Sequence, residues 1–178
     1  MNIMRCPFLF AQEYFKEVPL VIAEVGVAFG DNAALVYDGL KPKEFHLIDN
    51  WEWDGASRVS HGAISTKDEM YAFAVGQLNH LPGVRFVPTT SKRASLLYPK
   101  EYFHLVYIDA DHEYEGVRED LISWYPKVKP GGIFGGDDFD PYPGVKRAVE
   151  EFARQEQLKL YVGQSRTQWW VIKPKEGE

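Results

Sequence analysis

Four times in this chain a short apolar run ends in or beside a carboxylate: LVIAEV at 20–25, FHLID at 45–49, HLVYID at 104–109 and GGIFGGDD at 131–138. Runs that are apolar on both faces suit a parallel sheet sandwiched between helices. A fifth run, VRFVP at 84–88, joins them. Between them lie segments with helical spacing, at 31–39, 66–79, 116–127 and 143–155. In the third, Val117, Leu121 and Trp124 share a side. In the last, Val145, Ala148, Val149 and Phe152 share one side and Lys146, Arg147, Glu150 and Glu151 the other. Thr66 and Glu69 have the spacing of a capping box ahead of Met70, Phe73, Ala74 and Leu78. The closing pair of strands, 158–162 and 169–173, has a connection too short for a crossover helix, so it reads as an antiparallel hairpin. Trp169 and Trp170 alternate faces there, which predicts one in the core and the other exposed or at an interface. The sum is an α/β fold: a doubly wound, mostly parallel sheet of about seven strands with an antiparallel C-terminal hairpin.

A chain of 178 residues has room for one such domain, 1–178, with 1–19 as a short N-terminal extension. Residues 51–65 lack periodicity and read as a candidate active-site loop. Lys and Arg total 20 against 26 for Asp and Glu; this mildly acidic balance offers no broad phosphate-neutralising surface, and no nucleic-acid partner is expected. The single cysteine, Cys6, excludes an intrachain disulfide and a cysteine-based zinc cluster, and reads as a buried or half-buried thiol. No run of about 18 apolar residues predicts a membrane span. Without a secretory pattern, the default location is cytoplasmic.

In open sheets of this kind ligands bind beyond the C-terminal ends of the strands. The first strand runs into Glu24-Val25-Gly26-Val27-Ala28-Phe29-Gly30. Gly26 and Gly30 permit a tight turn and close approach of a ligand. The spacing is G-x-x-x-G rather than the dinucleotide G-x-G-x-x-G, which favours a cradle for a nucleoside joined to an amino acid over one for a pyrophosphate; the alternative is a structural turn. Asp49, closing the second strand, can accept both hydroxyls of a ribose or cap the loop. Ser91, after the third, fits the rim of an adenine site or an N-cap for SKRASLL.

The remaining carboxylates form a second constellation. Asp109 ends the fourth strand with Asp111 and His112 just beyond, and Asp137 and Asp138 end the fifth. Neighbouring parallel strands deliver these to one crevice, where packed carboxylates need protons or a cation. Oxygen ligands suit Mg²⁺, Ca²⁺ or Mn²⁺, giving Asp109, Asp137 and Asp138 as the metal set. The alternative leaves Asp137 and Asp138 as loop caps and Asp109 facing the cofactor alone. His112 is placed to act as a base or to hold its loop. Asp111 caps the following turn or bonds substrate, with Tyr114 and Glu115 as further candidates. Phe139, Pro141 and Tyr142 are placed to line an acceptor pocket. Trp51 and Trp53 either pack on a nucleoside, cover the cleft or belong to the core. His46, His80 and His104 lack ligand-like company; His61 lies in the 51–65 segment, within reach of a substrate.

The motifs Glu24-x-Gly26-x-x-x-Gly30, Asp49-x-Trp51, IDADHEYEGV at 108–117, KPGG at 129–132, Asp137-Asp138-Phe139 and Gly144-Val145-Lys146-x-Ala148-Val149-x-x-Phe152 together resemble the class I S-adenosylmethionine-dependent methyltransferases. Within that class the chain is most similar to the small-molecule O-methyltransferases of macrolide sugars and aminocoumarins, related to cephalosporin-hydroxylase-like proteins. The resemblance spans about residues 20–173 and implies a Rossmann-like fold. It implies that Glu24, Gly26 and Gly30 hold the methionine part of S-adenosyl-L-methionine and Asp49 its ribose; Ser91 and Asp109 join them as cofactor candidates by position. It also implies that Asp109, Asp137 and Asp138 bind Mg²⁺ or another divalent cation, with Asp109 taking the proton from a hydroxyl of a small molecule or sugar; His112 is a further catalytic candidate by position. Two alternatives accompany it: a metal-independent methyltransferase with His112 as base, and a non-catalytic S-adenosylmethionine-binding domain. Members of the sugar branch carry a longer N-terminal helical region than 1–19. The lid is therefore expected from 51–65 or from a partner subunit of a homo-oligomer.

Overall fold

The computed structural model describes residues 6–52, 67–175 and 177. In chain order these form α1 (Pro7–Phe15), β1 (Val21–Val25), α2 (Asp31–Leu40), β2 (Glu44–Asp49), α3 (Lys67–Leu78), β3 (Val84–Pro88) and α4 (Ser91–Ser95). There follow β4 (Phe103–Ile108), α5 (Tyr114–Trp124), β5 (Val128–Gly136), α6 (Pro143–Gln155), β6 (Tyr161–Val162) and β7 (Trp169–Ile172). The seven strands make one sheet in the order β3-β2-β1-β4-β5-β7-β6. The first five are parallel; β7 runs antiparallel to β5, and β6 antiparallel to β7. The doubly wound α/β sheet with its antiparallel terminal hairpin is as the sequence predicts. Among the described residues no helix is long and apolar enough to cross a membrane.

The alternation of side chains along each strand splits the core into two layers. One contains Val106, Phe134 and Trp169 against Leu121 and Trp124 of α5 and Val149 and Phe152 of α6. The other contains Leu105, Tyr107 and Trp170 against Ala11, Val36, Tyr37 and Leu78 of α1, α2 and α3. Trp169 and Trp170 are therefore both buried, at 1% and 0% exposure, where the sequence predicts one to be exposed or at an interface. The difference is α1. Residues 7–15 carry no clear pattern, but Pro7 starts the helix with a preset φ, and the Cys6 sulfur, half-buried, accepts from the Leu9 N–H at 3.4 Å. Phe8 then packs on Tyr107 and Phe10 on Trp170, with ring centres 4.6 and 6.0 Å apart.

Other boundaries shift for local reasons. In α3, Met70, Ala74 and Leu78 are buried as predicted; Thr66, and with it the capping box, lies outside the described residues. The third predicted helix begins earlier, at Tyr114, and its last turn, Tyr125–Lys127, is a 3₁₀ turn because Pro126 cannot continue the α-helical ladder. The KPGG stretch lies within β5, which pairs with β4 from Val128 and shifts register between Phe103 and Leu105. Of the predicted strand at 158–162 only Tyr161 and Val162 pair.

Candidate active site

The site begins at the turn after β1. Gly26 and Gly30 have φ of +89° and +85°, in the left-handed region where a side chain is disfavoured. A Cβ on Gly26 would lie 1.7 Å from the Asp109 carbonyl oxygen, so glycine is what lets the ends of β1 and β4 meet. The Asp49 carboxylate braces the turn. Its Oδ2 accepts from the N–H groups of Val27 (2.8 Å) and Ala28 (2.9 Å), and its Oδ1 from that of Trp51 (2.7 Å). Of the roughly four acceptor positions of a carboxylate, three are thus engaged, so the loop-cap role is present. Trp51 resolves towards the core: it is buried, packs on Tyr71 and donates its indole N–H to the Ala28 carbonyl at 2.9 Å. Trp53, His61 and nearly all of the 51–65 segment lie outside the described residues.

Beside the turn, Glu24 is 2% exposed. Its Oε1 accepts from the Asn32 side-chain amide at 3.0 Å, while Oε2 is buried with no hydrogen-bond partner. Burial pushes the carboxyl up to about 8; the Asn32 bond opposes this, and the charges of Asp109 and Asp49 add to it. Glu24 borders a cavity of ≈ 730 Å³. The cavity runs from Glu24 and Asn32 along the glycine turn, past Asp49 and Asp109, to Ser91 and Asp120 at the far end. A volume of this size suits a ligand of cofactor dimensions.

At the far end the Ser91 hydroxyl donates to Asp120 Oδ1 and accepts from the Trp124 indole N–H at 2.8 Å. Thr90 is the N-cap of α4 and Ser91 its first residue, so the cap reading of Ser91 shifts by one position. Asp120 is a site residue that the sequence does not reveal: in YEGVREDLISW it reads as one of several charges on a solvated helix face.

The acidic corner adjoins the cavity at Asp109. A recess of ≈ 10 Å³, about the space of one water or ion, is bordered by Asp109, Asp111, His112, Asp137, Asp138 and Trp169. Burial, then the neighbouring Asp137 and Asp138, push Asp109 up to about 7, partly offset by His112. Asp138 has φ +61°, and its Oδ2 lies 2.8 Å from His112 Nε2. That bond raises the pKa of His112 above its ordinary value against the effect of burial. The His112 ring stacks on Tyr142 at 4.2 Å. Asp109, His112 and Asp138 each offer a ligand atom, all within 4.8 Å of one another. Asp137 borders the same recess, with Oδ1 accepting from the Asp138 N–H at 3.0 Å. The group so formed holds His112 where the sequence leads one to expect Asp137.

Other candidates take supporting places. Asp111 Oδ1 accepts from the Glu113 N–H at 2.8 Å, the turn cap anticipated for it. The Tyr114 hydroxyl donates to Glu151 at 2.6 Å, tying α5 to α6. Phe139 is buried. His46 and His104 sit in structural contacts, with Tyr98 and Glu44 and with the Val21 N–H.

Comparison with known proteins follows this geometry. The profile of a family described as a methyltransferase domain matches residues 23–139, well over half of the chain. No curated protein sequence matches significantly. Among solved structures, the O-methyltransferase NovP is 21% identical with a TM-score of 0.66, covering 98% of this chain and 78% of its own. CalS11, a TDP-rhamnose 3'-O-methyltransferase of calicheamicin biosynthesis, is 19% identical with a TM-score of 0.64, covering 96% and 78%. MycE, a methyltransferase of the mycinamycin pathway solved with Mg and SAH, is 15% identical with a TM-score of 0.60, covering 94% and 49%. At these identities the likeness is one of fold. The family match adds what fold alone does not, and it bears out the resemblance to class I enzymes carried by the motifs: the chain belongs to the methyltransferase domain family.

Proposed function

We propose that the protein is an S-adenosylmethionine-dependent O-methyltransferase acting on a hydroxyl of a small molecule or sugar, with a divalent cation such as Mg²⁺ at the acidic corner. The observation that carries the reading is that Asp109, Asp111 and His112 border both the ≈ 730 Å³ cavity and the acidic recess, so a nucleoside-sized site and an ion-sized one share a wall of titratable side chains.

The residues fit both groups. The orphaned, buried Glu24 Oε2 suits the ammonium of a methionine moiety, and Gly26 lines the same cavity. Asp49 retains an acceptor position for a ribose hydroxyl beyond the three bonds that it takes within the turn. Asp109, Asp137 and Asp138 are hard oxygen donors suited to Mg²⁺, and burial, then the neighbouring Asp137 and Asp138, raise the pKa of Asp109. When bound, S-adenosylmethionine supplies a methyl group on a sulfonium, and a divalent cation supplies charge that lowers the pKa of an adjacent hydroxyl. The chain orients that hydroxyl and takes up its proton. Asp109 lines the cavity as a proton acceptor, while His112, paired with Asp138, offsets the local negative charge. The similar structures support this reading: NovP is an O-methyltransferase, CalS11 acts on TDP-rhamnose, and MycE was solved with Mg and SAH.

The His112–Asp138 pair also favours a second reading, a metal-independent enzyme in which His112 is the base. Calorimetric titration of Mg²⁺ into protein saturated with S-adenosylhomocysteine separates the two. The metal reading expects binding that weakens at least about 10-fold in Asp137→Asn and Asp138→Asn. Absence of Mg²⁺ binding, or binding indifferent to both substitutions, removes the cation from the proposal. Failure of wild-type protein to bind S-adenosylhomocysteine removes the cofactor. An Asp109→Asn variant that still binds metal and keeps the wild-type pH–rate profile excludes Asp109 as base.

A further inference from the structure

At the end of the cavity opposite Glu24 a buried carboxylate has no role in the reading above. We propose that Asp120 selects the nucleobase of the cofactor, accepting a hydrogen bond from the exocyclic amino group of adenine and excluding a base with a carbonyl there. The inference rests on the cavity being the S-adenosylmethionine site and adds a specificity-determining residue from α5.

The placement follows the sheet order. Glu24 lies on β1 and Asp49 ends β2, next to β3, whose C-terminal end leads into Thr90, Ser91 and Lys92. One cavity is lined by residues at all of these positions and by Glu119 and Asp120 of α5. A nucleoside whose amino-acid part lies at Glu24 and whose ribose lies at Asp49 therefore extends its base to Ser91 and Asp120.

The chemistry of the pair is one-sided. The Trp124 indole N–H donates into the Ser91 hydroxyl, so the one hydroxyl proton goes to Asp120 Oδ1. Among the described residues Asp120 Oδ2 has no hydrogen-bond partner and no cation pairs with Asp120; the nearby Lys92 is engaged by Glu119. Yet Asp120 is only 5% exposed. An unpaired carboxylate in such a position costs stability, and a perturbed acid lining a cleft is a mark of a functional site. Burial, opposed by the Ser91 bond and aided by Asp111 and Glu119, pushes Asp120 up to about 6, which leaves it largely ionised at neutral pH. Its free oxygen is then an acceptor only. It is satisfied by an amino group, whereas a carbonyl oxygen in that place sets acceptor against acceptor. Sites that bury a polar group for one partner reject the mismatched analogue strongly.

The test is calorimetric binding of S-adenosylhomocysteine, its inosine counterpart and its N6,N6-dimethyl derivative to wild-type protein and to Asp120→Asn. Wild type is expected to bind the adenosine compound at least about 100-fold more tightly than either analogue. Asp120→Asn, whose amide can turn either a donor or an acceptor to the base, is expected to narrow the adenosine–inosine preference to about 10-fold or less. Full preference retained in Asp120→Asn overturns the proposal, as does equal binding of the dimethyl derivative by wild type, which needs no variant to fold. Absence of binding by all three compounds overturns the cofactor reading itself.

Discussion

Glu24 has one hydrogen-bonded oxygen and one orphan, and its carboxyl is displaced from an ordinary 4.5 up to about 8. The folded protein thus holds a proton that the unfolded chain releases. A carboxyl raised on folding contributes stability in full below pH 4.5 and loses it as pH rises through about 8. The loss amounts to several kcal/mol at 1.36 kcal/mol per pH unit. Glu24→Gln keeps the neutral shape, so it is expected to flatten this decline, raising the stability of the free protein near pH 8 in urea titrations, while weakening S-adenosylhomocysteine binding at least about 10-fold. A variant with the wild-type pH dependence would show that Glu24 is not the group responsible. Residues of this kind were legible unevenly. Glu24, Gly26, Asp49 and Asp109 stand at the ends of apolar runs, where a polar side chain is conspicuous. Asn32 and Asp120 sit on helices among other polar residues, and only the packing of α2 and α5 on the sheet makes them buried.

At the scale of elements, the same contrast separates strands from caps. Five parallel strands follow from apolar runs, because a strand covered on both faces is apolar through most of its length. The helix α1 was missed because its neighbours are supplied by distant strands: Phe8 meets Tyr107 and Phe10 meets Trp170. Without α1, Trp170 reads as a surface residue; with it, Trp170 is wholly buried and stacks on Tyr161 with centroids 5.6 Å apart. Trp170→Ala is therefore expected to destabilise the protein by about 3–5 kcal/mol in chemical denaturation. A change below about 1 kcal/mol would show that α1 and β7 do not share a core. The acidic corner was only partly legible for a similar reason. Strand ends supply Asp109, Asp137 and Asp138, but the contact between His112 and Asp138 depends on how closely α6 approaches. That approach requires Gly144, where a Cβ would lie 2.6 Å from the His112 carbonyl.

At the scale of the molecule, two core layers share one sheet, and the described residues that line the cavity and the recess lie at one end of it or on a helix facing that end. A ligand bound there touches β1, β2, β4 and α5 together, so its binding energy opposes unfolding of both layers. S-adenosylhomocysteine at 100 times its dissociation constant is expected to add about 2.7 kcal/mol of stability, seen as one cooperative shift of the thermal transition. Two transitions of which only one moves would mean that the layers melt separately. The sheet order has a further consequence, for synthesis. The strand that seals the outer side of β5 is β7, the last of the described strands to leave the ribosome, and the Phe139 and Asp140 amides bond the Thr167 and Arg166 carbonyls just before it. A nascent chain that has already built its glycine turn still carries an open β5 margin. The competence to hold a nucleoside can therefore arise earlier, on the growing polypeptide, than the competence to act on an acceptor.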